Sequence, residues 1–271
     1  MRTIDRALGL LGLFSEQRPA IGLSELARLA RYDKATTHRY LSALLRRGFL
    51  EQDAQTRTYR LGPSLLRLAR VREHTHPIEA AVAPVLDRLV KATGETAHFS
   101  MLCGDELATL AVAESPKVNR VIVEISEALP LHATSSGLSY LAFAPAKVVD
   151  AALNQPLAAF TPATPSDPER IRALLETCRK SGIAASSDGY EDGVFSVAAP
   201  VFNSGDAVCG AVAVAAPESR RKQGAEVVMR EAVRQAAAAI TRTLGGATGT
   251  AESGSRSHAR ARNGRAEQAL I

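Results

Sequence analysis

A short helix, a tight turn and a longer helix, all predicted within residues 23–50, constrain the fold of this chain more than any other feature. Residues 24–30 have the composition of a short helix, and a two-residue break separates them from Asp33. A longer helix is predicted from Asp33 to about Arg47, because an acidic residue suits a helix N-terminus and Gly48 ends the pattern. This order is typical of the helix-turn-helix unit, whose second helix enters the DNA major groove.

The longer helix is predicted to have one packed face and one polar, basic face. The packed face follows helical spacing and consists of Thr37, Tyr40, Leu41 and Leu44. The opposite face consists of Lys34, Ala35, Thr36, His38, Arg39, Ser42 and Arg46. Hydroxyls, small side chains and cations of this kind suit base edges and phosphates. A solvated basic helix in an unrelated three-helix bundle would show the same face, so the interpretation depends on the order of the elements.

A β-hairpin is predicted directly after the longer helix, with strands at residues 49–52 and 57–61 and a turn between them. The hairpin makes this a winged helix-turn-helix. Arg57 at its tip can reach phosphates or the minor groove. We therefore expect DNA contacts from Lys34, Ala35, Thr36, His38, Arg39 and Arg57, with Lys34, Thr36 and Arg39 nearest the bases.

Charge is distributed unevenly along the 271 residues. Residues 1–72 carry 14 Lys and Arg against 6 Asp and Glu, a net +8, whereas residues 73–245 carry 15 against 20, a net −5. The length suits two domains, and the 46% hydrophobic and 23% charged content excludes a mostly disordered or fibrous chain. A small basic domain joined to a larger acidic one predicts different partners for the two halves, with nucleic acid favoured for the first.

Cysteine usage and hydropathy predict a cytoplasmic protein with no membrane contact. Cys103, Cys178 and Cys209 are widely spaced and form no C-x-x-C motif, which argues against a disulfide scaffold or a Cys-based zinc site. The longest apolar run, residues 207–217, is shorter than the ~20 residues that a membrane span needs. The N-terminus lacks a signal-peptide pattern, since charges interrupt its apolar run.

Residues 78–245 alternate helices with hairpin-linked strands, which predicts a second domain built on a largely antiparallel sheet. Helices are predicted at residues 78–93, from 134–136 onward, and at 147–153, 168–180 and 218–244. Strands are predicted at residues 96–102, 106–114, 118–126, 194–202 and 208–215. The expected domains are a DNA-binding domain at residues 1–62, a linker helix at 63–77 and a second domain at 78–245. The Gly-, Ser- and Arg-rich residues 246–271 are predicted to be a disordered basic tail.

Several motifs follow the order found in the IclR family of bacterial transcriptional regulators, which this chain resembles over residues 3–244. In the first half they are RALGLL at residues 6–11, GLSELA at 22–27, KATTHRYL at 34–41 and YRLG at 59–62. In the second half they are LPLHAT at residues 129–134, GVFSVAAPV at 193–201 and PESR at 217–220. Asp33 and Ala35 stand where the family often has Pro and Ser.

The resemblance implies a two-domain α+β or α/β fold with a winged helix-turn-helix, a linker helix and a GAF-like effector-binding domain. It implies a sequence-specific transcriptional regulator whose binding to double-stranded DNA is controlled by a small-molecule effector. Such proteins form homodimers through the DNA-binding half, and often dimers of dimers. A two-fold dimer would require a roughly palindromic operator.

The resemblance also implies an effector pocket at the helix that follows the LPLHA motif. The matching positions are Ser135, Ser136, Ser186, Ser196, Ala213 and Ala215. Free backbone N–H groups at a helix start attract a carboxylate, and serine hydroxyls add donors. Family members that bind small keto-acids carry Asp, Cys or Ser at several positions, whereas here Ser186 replaces the Asp and the last strand carries alanines. We therefore expect a small organic acid with a larger apolar part, aromatic acids included.

Other interpretations of these residues stay open. Ser135 and Ser136 could simply cap the helix, and a domain without a ligand could serve only in oligomerisation. An enzyme is the rival class, although the sequence contains no G-x-S-x-G, H-E-x-x-H or phosphate-binding loop motif. His98, His132, Glu191 and Asp192 could meet in space as a metal or acid–base site. We expect no catalytic residue, metal or cofactor.

Overall fold

A computed structural model describes residues 2–15, 17–104, 106–125 and 128–246. The described residues divide into two compact units, one ending at Pro77 and the other beginning at Ile78. Each unit has a hydrophobic core of its own. The predicted disordered tail lies, apart from Gly246, outside the described residues.

Helices and one hairpin build the first unit. Their bounds are α1 (Arg2–Gly9), α2 (Leu23–Ala30), α3 (Lys34–Arg46), β1 (Leu50–Gln52), β2 (Tyr59–Leu61) and α4 (Pro63–Thr75). The predicted packed face of the longer helix is confirmed, because its four residues are all buried in α3. Leu26 of α2, Leu41 of α3 and Tyr59 of β2 belong to the same core. These contacts hold the helix pair and the hairpin together as one winged helix-turn-helix.

The β1–β2 hairpin pairs with a third segment at Ile21, and the residues after β2 connect it to the start of α4. β1 and β2 pair antiparallel, and Ile21 and Tyr59 exchange backbone hydrogen bonds of 2.9 and 2.8 Å. A Cβ at Gly62 would clash with the backbone of Gly48, so only glycine permits this close approach. Ser64 completes the junction by donating its hydroxyl to the Arg47 carbonyl at 2.8 Å. The end of α3, the wing and the start of α4 are therefore tightly connected.

The second unit is an antiparallel sheet with helices on both faces. Its helices are α5 (Ile78–Thr93), α6 (Ser135–Phe143), α7 (Ala146–Leu153), α8 (Pro168–Ser181) and α9 (Gln223–Thr243). Its strands are β3 (Thr96–Cys103), β4 (Glu106–Ala113), β5 (Ala128–Leu129), β6 (Ala184–Ser187), β7 (Val194–Phe202) and β8 (Val208–Pro217). The strand order is β5-β4-β3-β8-β7-β6, and each neighbouring pair is antiparallel. The predicted fold class is confirmed.

The two faces of this sheet differ in composition. On one face, Phe99, Val197 and Val214 pack with apolar residues of α5 and α9 in a single cluster. The other face lies against α6, which contacts β7 and β8 and also packs on α8. A second apolar cluster joins α6, α7 and α8 through residues such as Leu141 and Leu175. The first face is thus an ordinary core, and the second face carries the polar positions described below.

The strand predicted at residues 118–126 is wrong for its described part. Residues 118–125 form no strand, Ser126 lies outside the described residues, and the short β5 pairs with β4 instead. The apolar Val118 is 98% exposed, and tertiary contacts rather than a strand ladder hold the segment. Thr96 donates its hydroxyl to the Val121 carbonyl at 2.7 Å. Strand propensity was overridden here because side chains from elsewhere satisfy the backbone.

Two helix boundaries and one strand also differ from the sequence prediction. The first helix, predicted to extend to residue 16, ends at Gly9 and is followed by a 3-10 turn at Leu11–Leu13, since glycines weaken helices. The last helix is preceded by a separate 3-10 turn at Glu218–Arg220. Strand β6 was missed because its sequence, Ala-Ala-Ser-Ser, has weak strand propensity and is stabilised by pairing with β7.

Candidate functional site

Asp33 fixes the start of helix α3. Its carboxylate accepts a hydrogen bond from the backbone N–H of Thr36 at 2.8 Å, and this bond lowers the pKa of Asp33. The buried hydroxyl of Thr37 donates to the Asp33 carbonyl at 2.9 Å. Asp33 is therefore the N-cap of α3.

Five of the six predicted DNA-contact residues lie on the solvent side of α3. Their side chains are exposed except that of Thr36, which is half-buried; they are Lys34, Ala35, Thr36, His38 and Arg39. Within the described chain no acidic side chain pairs with Lys34 or Arg39, whereas Arg28 of α2 and Arg60 of β2 are paired with glutamates. Unpaired cations can bind phosphates without breaking an internal ion pair.

Arg57, the sixth predicted residue, lies in the hairpin turn. Its backbone has a φ of 60°, a left-handed conformation that non-glycine residues seldom adopt. Asp53 stabilises the turn by accepting hydrogen bonds from the N–H groups of Gln55 and Thr56 at 2.9 and 2.7 Å. Gln52 donates its side-chain amide to the Arg57 carbonyl at 3.0 Å. The turn therefore fixes the backbone of Arg57 while its side chain is exposed.

In the second unit, helix α6 begins with a capped end and two unpaired amides. Thr134 is the N-cap, and its hydroxyl accepts from the Gly137 N–H at 3.0 Å. Ser135 and Ser136 are buried, and their N–H groups donate to no acceptor in the described chain. A Cβ at Gly137 would lie 2.5 Å from the Leu131 backbone, so glycine lets the LPLHAT turn pack directly on the helix. Unpaired amides at a helix start attract anions.

The other four predicted effector residues lie on the sheet face that meets α6. Side chains of directly paired residues in a sheet share one face. One row across the strands contains Ser186, Ser196, Ala215 and Thr96. The neighbouring row contains Ala184, Ala198, Ala213 and His98. The structure thus assembles residues far apart in the chain into two adjacent rows.

Two contacts join these rows to the start of α6. The Ser186 hydroxyl donates to the Ala133 carbonyl at 3.1 Å, and His98 Nε2 lies 3.3 Å from Ser136 Oγ. The buried Ala213 and Ala215 belong to neither apolar cluster of this unit. All six predicted effector residues are therefore close to one end of α6, over a face made of small and polar side chains.

His98 is the residue that sequence reasoning missed, because it considered this histidine only for a metal or acid–base cluster. Its side chain is 6% exposed, and its Nδ1 atom has no hydrogen-bond partner in the described chain. Burial lowers the pKa of His98 from 6.5 to about 4, so the imidazole is neutral at pH 7. The available signal was the alternation of Thr96, His98 and Ser100, three polar residues at every second position of an apolar strand.

Loops between α7 and β7 hold the Ser186 end of the site. Thr161 donates its hydroxyl to the Asp188 carbonyl, and Thr164 donates to the Gly189 carbonyl at 2.7 Å. A Cβ at Gly189 would clash with Ser186 and Ala133, so this glycine lets the loop reach them. His132, in the LPLHAT turn, has its Nε2 2.9 Å from the Ala158 carbonyl oxygen.

A buried ion cluster anchors the segment near Thr96. Arg220 binds both carboxylate oxygens of Glu95 at 2.8 and 2.6 Å, and Lys117 binds one of them at 2.6 Å. Burial alone would raise the pKa of Glu95, but the hydrogen bonds from Arg220 and Lys117 outweigh it and leave the pKa below its ordinary value. Arg220 also donates to the Asn119 carbonyl at 2.7 Å, so the cluster fixes the segment where a strand was predicted.

A groove of about 610 Å³ lies elsewhere on the second unit, between the β4–β5 edge and α7. Its lining includes Leu102, Leu129, His132, Tyr140 and Lys147, and none of the six predicted effector residues. Across the ranges that the structure covers, no three His, Cys, Asp or Glu side chains are placed to hold a metal ion. No helix in those ranges is long and apolar enough to cross a membrane.

Two known domains match this sequence. Residues 3–54 match the IclR helix-turn-helix domain, and residues 72–242 match the domain described as bacterial transcriptional regulator IclR C-terminal. The HTH-type transcriptional regulator XynR of Escherichia coli is 30% identical over 246 residues, covering 90% of this chain and 98% of XynR. The glycerol operon regulatory protein of Streptomyces coelicolor is 30% identical over 247 residues, covering 90% and 97%.

Solved structures agree with these matches. An IclR transcriptional regulator from Silicibacter sp. TM1040 is 44% identical, with a TM-score of 0.87 and coverage of 92% of this chain and 98% of that one. An IclR homologue from Microbacterium hydrocarbonoxydans, solved in complex with 4-hydroxybenzoate, is 27% identical, with a TM-score of 0.69 and coverage of 89% and 98%. The helix-turn-helix, the antiparallel sheet and these matches together show that the chain belongs to the IclR family of DNA-binding bacterial transcriptional regulators.

Proposed function

We propose that this regulator reads a roughly palindromic operator as a homodimer, through helix α3 and the β1–β2 hairpin. Lys34, Thr36 and Arg39 contact base edges, while Arg57 binds phosphate or the minor groove. Ala35 and His38 complete the contact surface. The exposure of these side chains and the lack of ion pairs at Lys34 and Arg39 in the described chain support the assignment.

Binding at the operator is controlled by a small organic acid held at the start of α6. The observation that carries this proposal is the convergence of six separate residues on one end of α6, beside two unpaired amides. The carboxylate is bound by the N–H groups of Ser135 and Ser136 and by nearby hydroxyls. The rest of the effector site is lined by Ser186, Ser196, Ala213 and Ala215. The two alanines leave space for the apolar part of the acid. The complex of the Microbacterium homologue with 4-hydroxybenzoate supports an acid of this size.

The family match and the division of the chain into two units support the remaining assignments. Residues 1–62 bind DNA, residues 63–77 form the linker helix and residues 78–245 bind the effector. The protein acts in the cytoplasm, assembles as a dimer or a dimer of dimers, and catalyses no reaction. The palindromic operator is the counterpart of the proposed dimer, because a two-fold dimer binds two equal half-sites.

DNA binding is tested by fluorescence anisotropy with fragments from the intergenic DNA beside the gene. Arg39→Ala should weaken binding to the operator about tenfold or more, the loss expected for one base or phosphate contact. Arg88→Ala, which removes an exposed arginine from α5 in the second unit, is the matched control and should bind like the unaltered protein. Equal affinity of the two variants would remove Arg39 from the interface.

Effector binding is tested by thermal shift with a panel of aliphatic and aromatic monocarboxylic acids. Ala215→Val adds bulk on the α6 side of the sheet, and Ala185→Val adds the same bulk on the opposite face. Only Ala215→Val should abolish stabilisation by the acids and their effect on operator binding. Stabilisation by polar two- or three-carbon acids alone would contradict the expected size. A protein that responds to no acid would favour a ligand-free oligomerising domain.

A further inference from the structure

We propose that His98 is a specificity-determining residue of the effector site and that it selects acids carrying a hydroxyl group close to the carboxylate. The inference rests on the proposed effector function. It adds to that function a specificity-determining residue on β3. It also adds a chemical class of ligand, the carboxylic acids that carry a hydroxyl group close to the carboxylate.

In the proposed complex, the role of Ser136 sets which nitrogen of His98 carries the proton. If the Ser136 hydroxyl donates to an effector carboxylate alongside the α6 amides, its oxygen is free to accept a hydrogen bond. His98 Nε2 lies 3.3 Å from that oxygen, so the imidazole donates from Nε2–H. A neutral imidazole has only one N–H, which leaves Nδ1 as an acceptor.

Nδ1 of His98 is then a buried acceptor without a donor. Its residue is 6% exposed, and no described protein group donates to Nδ1. Buried polar atoms in native proteins are nearly always hydrogen-bonded. The two residues paired directly with His98, Val112 on β4 and Ala213 on β8, carry no side-chain donor. A hydrogen-bond donor on the effector would satisfy Nδ1. Because Nδ1 and Nε2 belong to the same small ring and the carboxylate binds beside Ser136, this donor must lie close to the carboxylate.

A hydroxyl suits this position better than an ammonium group. Burial is the sole cause of the low pKa of His98, and no carboxylate contributes to it. An ammonium placed here would lie beside a neutral ring in a desolvated layer, with no carboxylate of the protein to pair with, which is costly. Ser139 supports a polar ligand, because its buried hydroxyl is also unpartnered and lies one turn after Ser136 on the same side of α6.

The test compares matched acids by isothermal titration calorimetry on the full chain. The near-hydroxyl pairs are mandelate with phenylacetate and 2-hydroxyhexanoate with hexanoate, and the far-hydroxyl pair is 4-hydroxybenzoate with benzoate. The unaltered protein should bind the hydroxy acid of a near pair about tenfold or more tightly than its partner, because a site built for a hydroxyl rejects the analogue that lacks it. The far pair should show a smaller ratio.

Three variants separate the role of each ring nitrogen. His98→Gln places an amide near Nε2 and loses the acceptor at Nδ1, so its preference for the hydroxy acid should fall to within about twofold. His98→Asn places an amide oxygen near Nδ1 and should retain the preference. Ser100→Ala changes the same strand and face, but at a hydroxyl that pairs with Thr109, and should behave like the unaltered protein. Circular dichroism establishes that each variant is folded.

The outcomes distinguish this inference from the proposed function. Binding of both acids of each near pair with equal affinity, or a preference that survives His98→Gln, overturns the role of His98 and leaves effector control standing. Binding of no acid in any pair overturns both.

Discussion

Acid should destabilise the second unit through His98, and His98→Gln should remove much of that sensitivity. The native imidazole has a pKa of about 4, whereas an unfolded histidine titrates near 6.5. Between these values the unfolded chain binds a proton that the native chain does not, so stability falls as pH falls through this window. With ~1.4 kcal/mol per pH unit of differential titration, the loss is about 2 kcal/mol between pH 7 and pH 5 and about 3 kcal/mol by pH 4.

The assay is urea unfolding followed by circular dichroism at pH 7, 6 and 5, at one protein concentration. His98→Gln cannot titrate in this range, so its free energy of unfolding should decrease by about 2 kcal/mol less than that of the unaltered protein. Ser100→Ala keeps the histidine and should follow the unaltered protein. If all three lose the same stability between pH 7 and pH 5, His98 is not held neutral by burial and the reasoning fails.

Three other predictions concern the cap, the DNA-binding face and the ion cluster. Asp33→Ala should lower the midpoint of thermal unfolding of the first unit, since it removes the cap of α3; an unchanged midpoint would argue against the cap. Lys34→Ala should lower the ratio of operator affinity to non-operator affinity about tenfold, because Lys34 is proposed to contact a base edge, and an unchanged ratio would place the lysine elsewhere. Glu95→Gln should destabilise the second unit by about 2 kcal/mol at pH 7, because it leaves two partly exposed cations without their carboxylate. That deficit should shrink as the pH falls through the lowered pKa of Glu95, where the unaltered protein also loses the charge; a deficit independent of pH would refute the ion-pair explanation.

Local patterns in the first unit were sufficient to predict its helix-turn-helix and hairpin, although not the end of its first helix. Thr37, Tyr40, Leu41 and Leu44 repeat at helical spacing and are all buried in α3. Asp33 and Gly48 mark the ends of that helix as capping chemistry requires. Helix propensity, capping and turn residues act over a few positions, so a sequence displays them directly.

The second unit was predictable in class but not in detail. The segment at residues 118–125 has strand-forming residues, yet Arg220 and Thr96 from distant positions hold its backbone in an irregular conformation. Strand β6 is the reverse case, because its Ala-Ala-Ser-Ser sequence has weak strand propensity and becomes a strand only by pairing with β7. Hydrogen bonds between distant parts of the chain determined the conformation of both segments, and a local sequence pattern does not reveal such bonds.

The sequence by itself determined the helix-turn-helix, the basic first half and the antiparallel class of the second domain, because each depends on periodicity, composition or short motifs. Only the tertiary structure decided which residues meet at α6. Strand register placed His98 beside Ala213 and within 3.3 Å of Ser136, positions separated by more than thirty residues in the chain. Burial in that layer, rather than the residue type, makes the imidazole neutral and leaves Nδ1 without a protein partner.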